Sequence, residues 1–206
     1  MRKLLIATTN RGKLREFQDL LAGVPYQLTT PDQEGIDLQV DETGTTYEEN
    51  ARLKAIAYAQ AGGLLTLADD SGLEVEALGG APGPFAARFG GPGLTDAQRV
   101  AFLLAHLEGV PPEKRAARFR CVIVLATPEA TPRWVSCEGN CKGRIAFEPH
   151  GSQGFGYDPI FFLPDLGQTM AELSPGVKNR VSHRAQAAAH AREHLVRGWP
   201  DPFVPD

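Results

Sequence analysis

Asp69 and Asp70 stand side by side at the end of an apolar run, Leu64-Leu65-Thr66-Leu67-Ala68, and are followed by Ser71 and Gly72. A leucine-rich run of this length reads as a buried strand, and aspartate is among the residues least suited to strands and cores. Two carboxylates at such a strand's end can collect oxygen-preferring cations or orient a water. An Asp-rich turn that caps the next element is the plain alternative. Neighbours along a strand point to opposite faces, so both aspartates enter one cleft only if the chain has already turned.

A second group with chemical potential opens the chain: Thr8-Thr9-Asn10-Arg11-Gly12-Lys13. It follows the apolar segment from Arg2 and precedes a helix whose Leu14, Phe17, Leu20 and Leu21 recur at helical spacing until Gly23. A turn at a helix amino terminus offers unpaired N–H groups and the positive end of the helix dipole, and Lys13 adds a charge, which together suit a phosphate. The stretch is not a Walker A loop, because Leu14 stands where Ser or Thr would meet magnesium and the first glycine is absent. An Asn cap with a solvated lysine is the competing reading.

Further candidates lie along the chain. Thr45 with Glu48, or Thr46 with Glu49, forms a capping box, which accounts for both glutamates and leaves Glu42 unexplained. The helix that follows runs to Gly62-Gly63 and carries Lys54 on one face. In Gly154-Phe155-Gly156-Tyr157-Asp158, two glycines around an aromatic beside an acid suit a loop that lets a flat ring approach the backbone, or an aromatic-anchored turn. Lys178 precedes Ser182-His183-Arg184, where Ser182 reads as a cap for an alanine-rich helix over Ala185 to Leu195. Two cationic side chains in a first helical turn oppose the dipole, which hints at use rather than stability.

The elements that must position these groups alternate. Strand, helix and strand lead to the helix ending at Gly62. Leu64 to Ala68 and Leu73 to Leu78 read as two strands broken at the aspartates, and the Gly- and Pro-rich stretch from Gly79 to Gly93 reads as a loop, mobile or functional. A helix begins at Thr95 with a Thr-x-x-Gln box and looks purely structural. Ala117 to Thr127, Arg133 to Gly139 and Arg144 to Glu148 read as antiparallel strands joined by turns, followed by a strand over Ile160 to Leu163.

Composition excludes several classes. The 206 residues are 42% hydrophobic, enough for one sizeable core, and no linker divides them, so a single domain over 1–206 with a surface tail from about 197 to 206 is expected. A net charge of -4 argues against a general nucleic-acid binder. The apolar run near Met1 is too short for a signal peptide or membrane span, so a cytoplasmic protein without membrane contact is expected. Cys121, Cys137 and Cys141 are an odd set without the ligands to complete a zinc site, and they read as reduced strand residues.

Taken together, Thr8 to Lys13, the stretch Glu42 to Ala55, Ala68 to Gly83, Gly154 to Phe161, and a late lysine followed by Ser182-His183-Arg184 resemble the inosine triphosphate pyrophosphatase family, from Met1 to about Leu195. Thr9 stands where relatives often carry a smaller residue. The resemblance implies an α/β fold with a long twisted mixed sheet and flanking helices, two lobes around a central cleft, a homodimer, and Mg2+ as cofactor. It implies hydrolysis of ITP, dITP and XTP to the monophosphate and pyrophosphate. Carried over by motif, Thr8, Thr9, Asn10, Arg11, Gly12 and Lys13 would hold the triphosphate, Lys54 a phosphate, and Glu42 and Asp70 the metal. Ser71, Phe155, Gly156, Tyr157, Asp158, Lys178, His183 and Arg184 would contact the nucleotide, the last two near the base.

The chemistry agrees with that assignment. Lysines and Mg2+ can balance a triphosphate in an acidic protein, and donors at the base accept the O6 of a keto-purine while leaving the amino group of adenine unpaired. A carboxylate bound to a cation is a poorer base, so Asp70 is expected to hold the metal and orient water, with Glu42 as co-ligand and Asp69 in support. A hydrolase of standard triphosphates would lack the keto-purine preference. A nucleotide-binding sensor would have no need of Glu42 and Asp70.

Overall fold

The computed structural model describes residues 2–200. Seven strands form one open mixed sheet in the order β2-β1-β3-β4-β5-β6-β7. These are β1 (Arg2–Ile6), β2 (Tyr26–Thr29), β3 (Leu65–Val75), β4 (Ala116–Ala126), β5 (Trp134–Ile145), β6 (Phe161–Leu163) and β7 (Gln168–Thr169). The helices are α1 (Arg11–Leu20), α2 (Tyr47–Gly62), α3 (Asp96–His106), α4 (Pro175–Val181) and α5 (His183–Val196). β1 pairs in parallel with β2 and β3, while β6 pairs antiparallel with β5 and β7. Contacts divide the chain into two compact units: residues 1–70, 121–139 and 184–206 in the first, 71–120 and 140–183 in the second.

In the first unit the period of two along each strand assigns helices to faces. Leu4, Ile6, Leu67, Ile123 and Leu125 pack with Phe17 of α1, with Leu21 that follows it, and with Ala187, Ala188 and Ala191 of α5. Their strand neighbours Leu5, Ala7, Ala68, Val122 and Val124 pack instead with Ala51, Ala55 and Ala59 of α2. In the second unit, Leu73, Val75, Phe119 and Phe161 build a separate core with Val100 and Leu103 of α3 and with Met170.

Four expectations are corrected. β3 runs unbroken from Leu65 to Val75, so no turn intervenes at the aspartates, and Glu76–Leu78 forms a 3-10 turn instead of strand. β5 likewise continues through Asn140 to Gly143, where a hairpin turn was expected. β3 is buried almost throughout and β5 at alternating positions, and in both the burial outweighs local turn chemistry. Thr46 forms the capping box with Glu49, while Glu48 accepts a hydrogen bond from Ser136 (3.2 Å) and is not a capping residue. α4, with Lys178 buried in it, was not expected from the sequence.

The described part of the expected tail, Arg197 to Pro200, is tied down by a hydrogen bond from Tyr26 Oη to the Trp199 carbonyl (3.4 Å), and the rest of that tail lies outside the described residues. No helix among the described residues is long and apolar enough to cross a membrane.

Candidate active site

The candidate residues fall into two groups, each within one unit. In the first unit, β1 ends at Ile6 and the chain turns through Thr8 and Thr9 into α1. Asn10 is the helix cap: its side-chain oxygen accepts from the N–H groups of Gly12 (2.8 Å) and Lys13 (3.1 Å). Two of the donors that a phosphate could have used are therefore taken by Asn10. Thr9, Asn10 and Arg11 are exposed, and Thr8, Gly12 and Lys13 half-buried.

Lys13 reaches back to the strand, where its Nζ lies 2.9 Å from Oδ2 of Asp69. The same oxygen lies 3.5 Å from Nη2 of Arg184, whose Nη1 donates to Glu16 (2.6 Å), and Cys121 Sγ approaches it at 3.8 Å. Burial alone would raise the Asp69 carboxyl, but Lys13 and Arg184, reinforced by Lys54, hold it well below the usual carboxylate range. Its Oδ1 is buried without a hydrogen-bond partner among the described residues.

Asp70, one residue on along an unbroken strand, faces α2. Nδ2 of Asn50 donates to its Oδ2 (3.1 Å), while Oδ1 of Asn50 accepts from the N–H of Gly44 (2.8 Å). Asn50 is fully buried and thus ties Asp70 to the loop that carries Glu42. Glu42 pairs with Lys54 at 2.5 Å. Burial raises the Asp70 carboxyl, and the charge of Glu42 adds to it, against the opposing pull of Lys54, Lys13 and Asn50. Burial works against the charge on Lys54, yet Asp69, Asp70 and Glu42 together raise its affinity for a proton.

Among the described residues, no three His, Cys, Asp or Glu side chains gather into a metal cluster. The Glu42 and Asp70 pair nonetheless fits a hard cation, because both donors are carboxylate oxygens and Asp70 already feels the charge of Glu42.

In the second unit, the Gly154 to Asp158 loop folds around the Asp158 carboxylate. Its Oδ2 accepts from the Phe155 N–H (3.0 Å) and pairs with Lys178 at 2.5 Å. Lys178 Nζ also lies 5.0 Å from the centre of the Phe155 ring. Asp158 and Lys178 are both buried. Gly156 donates its N–H to Asp96 (2.7 Å), and Tyr157, buried, donates its hydroxyl to the Ala86 carbonyl (3.0 Å). Asp96 belongs to the first turn of α3. The His183 ring stacks on Phe119 with centroids 4.7 Å apart and planes 13° apart. Ser71, half-buried, follows Asp70 on β3.

Several residues with a part in these groups were not singled out from the sequence: Glu16, Asn50, Asp96 and Phe119. Asn50 left a trace, since asparagine is a poor helix residue and stands here in the body of a helix with no capping duty. Asp96 left none, because an acid in a first turn is accounted for by the dipole. Arg184, expected at the base with His183, is 2% exposed and engaged with Asp69 and Glu16.

An open mixed sheet flanked by helices, whose first strand–helix turn sends a lysine to a buried aspartate and whose neighbouring aspartate stands with a glutamate and a second lysine, defines an α/β protein arranged around paired charges. Comparison with known proteins makes that class specific. The Ham1 family pattern matches residues 4–194, and the chain belongs to that family. It is 47% identical over 187 residues to a dITP/XTP pyrophosphatase of Vibrio parahaemolyticus, covering 91% of this chain and 93% of that one. It is 48% identical over 195 residues to a dITP/XTP pyrophosphatase of Desulforamulus reducens, covering 95% and 96%. The solved structure of a HAM1 protein from Coxiella burnetii superposes with a TM-score of 0.88 at 41% identity, covering 96% of this chain and 100% of that one.

Proposed function

We propose that this protein hydrolyses non-standard purine nucleoside triphosphates, ITP, dITP and XTP, to the monophosphate and pyrophosphate, and so clears them from the pool used for DNA and RNA. The observation that carries the reading is the charge array on β3: Asp69 holds Lys13 at the first strand–helix turn, and Asp70 stands with Glu42 and Lys54. Relatives that align over nearly the full chain supply the substrate class through their names.

In this reading Lys13 and Lys54 bind phosphate oxygens with the turn over Thr8, Thr9, Asn10, Arg11 and Gly12, moving from carboxylate to substrate as it arrives. Glu42 and Asp70 hold Mg2+, which when bound supplies positive charge against the phosphate oxygens. Asn50 keeps the Asp70 carboxylate oriented from one side, and Asp69 supports Lys13. Phe155, with Gly156, Tyr157 and Asp158 shaping its loop, together with Ser71 and Lys178, meets the nucleotide. His183 donates to O6 of a keto-purine, an acceptor that adenine replaces with a donor. The protein works in the cytoplasm as a homodimer on free nucleotides, with its acidic balance unsuited to nucleic acid.

A panel of nucleoside triphosphates with Mg2+, read for pyrophosphate, tests this. Turnover of ITP, dITP and XTP well above ATP and GTP is expected. Equal rates for ITP and ATP, or orthophosphate as first product, would refute it.

A further inference from the structure

Phe155 stands between two glycines in the left-handed region, Gly154 at φ +76° and Gly156 at φ +62°. Glycine takes either sign of φ at little cost, so neither neighbour by itself holds the ring between them. Two carboxylates supply what the glycines leave out. The N–H of the peptide before Phe155 donates to Asp158 (3.0 Å), and that of the peptide after it, the Gly156 N–H, donates to Asp96 (2.7 Å). A peptide is a rigid plane, and the two dihedrals of a residue relate the planes on either side of it. With both planes held, the direction in which Phe155 projects its ring is held as well.

The two carboxylates differ in setting. Asp158 is buried within the loop and paired with Lys178, whereas Asp96 is exposed and belongs to another element. α3 is a firm post for it: Thr95 and Gln98 close a capping box around its first turn, Val100 and Leu103 lie in the core, and Arg99 donates to the Leu94 carbonyl at 3.0 Å. The helix dipole accounts for an acid in that turn, but not for the aim of its oxygen at a backbone N–H of a loop far along the chain.

We propose that Asp96 is a positioning residue for nucleotide binding: by holding the Gly156 N–H from α3, it fixes Phe155 in the orientation that meets the nucleotide. A backbone N–H donating to a carboxylate is among the stronger hydrogen bonds. Without it, the peptide after Phe155 is free to rotate beside its glycine, and the nucleotide must order the ring as it binds, at a cost in affinity. Lys13, Lys54, Glu42 and Asp70 belong to the other unit, so binding should suffer and the chemical step should not.

The inference rests on the reading of function above, in which Phe155 meets the nucleotide. In Asp96→Ala, affinity for inosine monophosphate, read by calorimetry, should fall and the KM for ITP should rise by about threefold or more, while kcat and inhibition by pyrophosphate stay within about twofold of wild type. Asp96→Asn keeps an acceptor oxygen and should hold inosine monophosphate affinity within about twofold of wild type. Thr95→Ala removes the cap of the same helical turn and leaves the Gly156 contact in place. It should lower the urea midpoint at least as far as Asp96→Ala does, with inosine monophosphate affinity within about twofold of wild type.

If Asp96→Ala fails to fold, Asp96→Ser, whose hydroxyl is too short to reach the loop, carries the same comparison. A smaller loss of inosine monophosphate affinity than this, or an equal loss in Thr95→Ala, would overturn the inference in favour of an acid that only stabilises its helix. Equal weakening of pyrophosphate would overturn it in favour of a general structural role. Asp96→Asn as weak as Asp96→Ala would overturn it by assigning the effect to charge and not to the hydrogen bond. A wild-type protein that neither hydrolyses ITP nor binds inosine monophosphate would overturn the functional reading, and this inference with it; one that does both, with Asp96→Ala unaltered, would overturn this inference alone.

Discussion

The two aspartates of β3 differ in sign as titrating groups. Asp69 has its carboxyl lowered by Lys13 and Arg184 despite burial, whereas burial and Glu42 raise that of Asp70. A group whose folded pKa lies above its unfolded value stabilises the fold below the unfolded pKa, and that contribution is lost as pH rises through the folded pKa. Near neutral pH, without metal, ionised Asp70 therefore works against folding. Asp70→Asn is expected to remove turnover and yet raise the Tm of the metal-free protein at pH 7, by about 2–4 °C for each kcal/mol relieved. The gain should vanish as pH falls below about 4, where the carboxyl is protonated in both states. Thermal scans across pH check it, and an Asp70→Asn protein that melts lower at pH 7 would show that the hydrogen bond from Asn50 outweighs the cost of the charge.

Among the elements, the loop at Gly154 has no room for a side chain at that glycine. Gly154 has φ +76°, in the left-handed region, and a Cβ there would overlap the Asp158 carboxylate and lie 3.0 Å from Lys178 Nζ. Gly154→Ala should cost about 1–3 kcal/mol from the backbone alone, and should lower kcat/KM by more than tenfold as Lys178 is displaced. Urea unfolding with steady-state kinetics reads both, and a variant with wild-type kinetics would mean that the loop does not meet substrate.

The alternation of strand and helix over the first 62 residues was legible because apolar periodicity changed from two to about 3.6 at each boundary. The capping boxes at Thr46 and Thr95 were legible for the same local reason. What the sequence hid was long-range. β3 passes through two aspartates because Lys13, Arg184 and Asn50, distant in the chain, satisfy them in a buried setting. Glu16 and Phe119 likewise acquire their partners only through packing.

At the scale of the whole molecule, the three thiols report on integrity. Cys121, Cys137 and Cys141 are free and buried on β4 and β5. Burial pushes the Cys137 and Cys141 thiols up to about 11, and burial with Asp69 beside it pushes Cys121 higher still. Since the thiolate is the reactive form, iodoacetamide at pH 7.5 should leave the native protein unlabelled over times that label all three cysteines in urea. Rapid labelling of one thiol in the native protein, read by mass spectrometry, would reveal local opening of that strand.

The unbroken course of β3 means that which aspartate does what is a matter of parity. Its pairing with β1, Leu4 with Leu65 and Ile6 with Leu67, fixes the odd positions toward α1 and α5 and the even ones toward α2. Asp69 is odd and meets two cations; Asp70 is even and meets an amide and a second acid. A slip of one residue would not shift these two aspartates a little along the strand but exchange them outright. Two chemically identical side chains are thus made unlike by counting alone, and the apolar residues that hold the count serve the chemistry as directly as the carboxylates do.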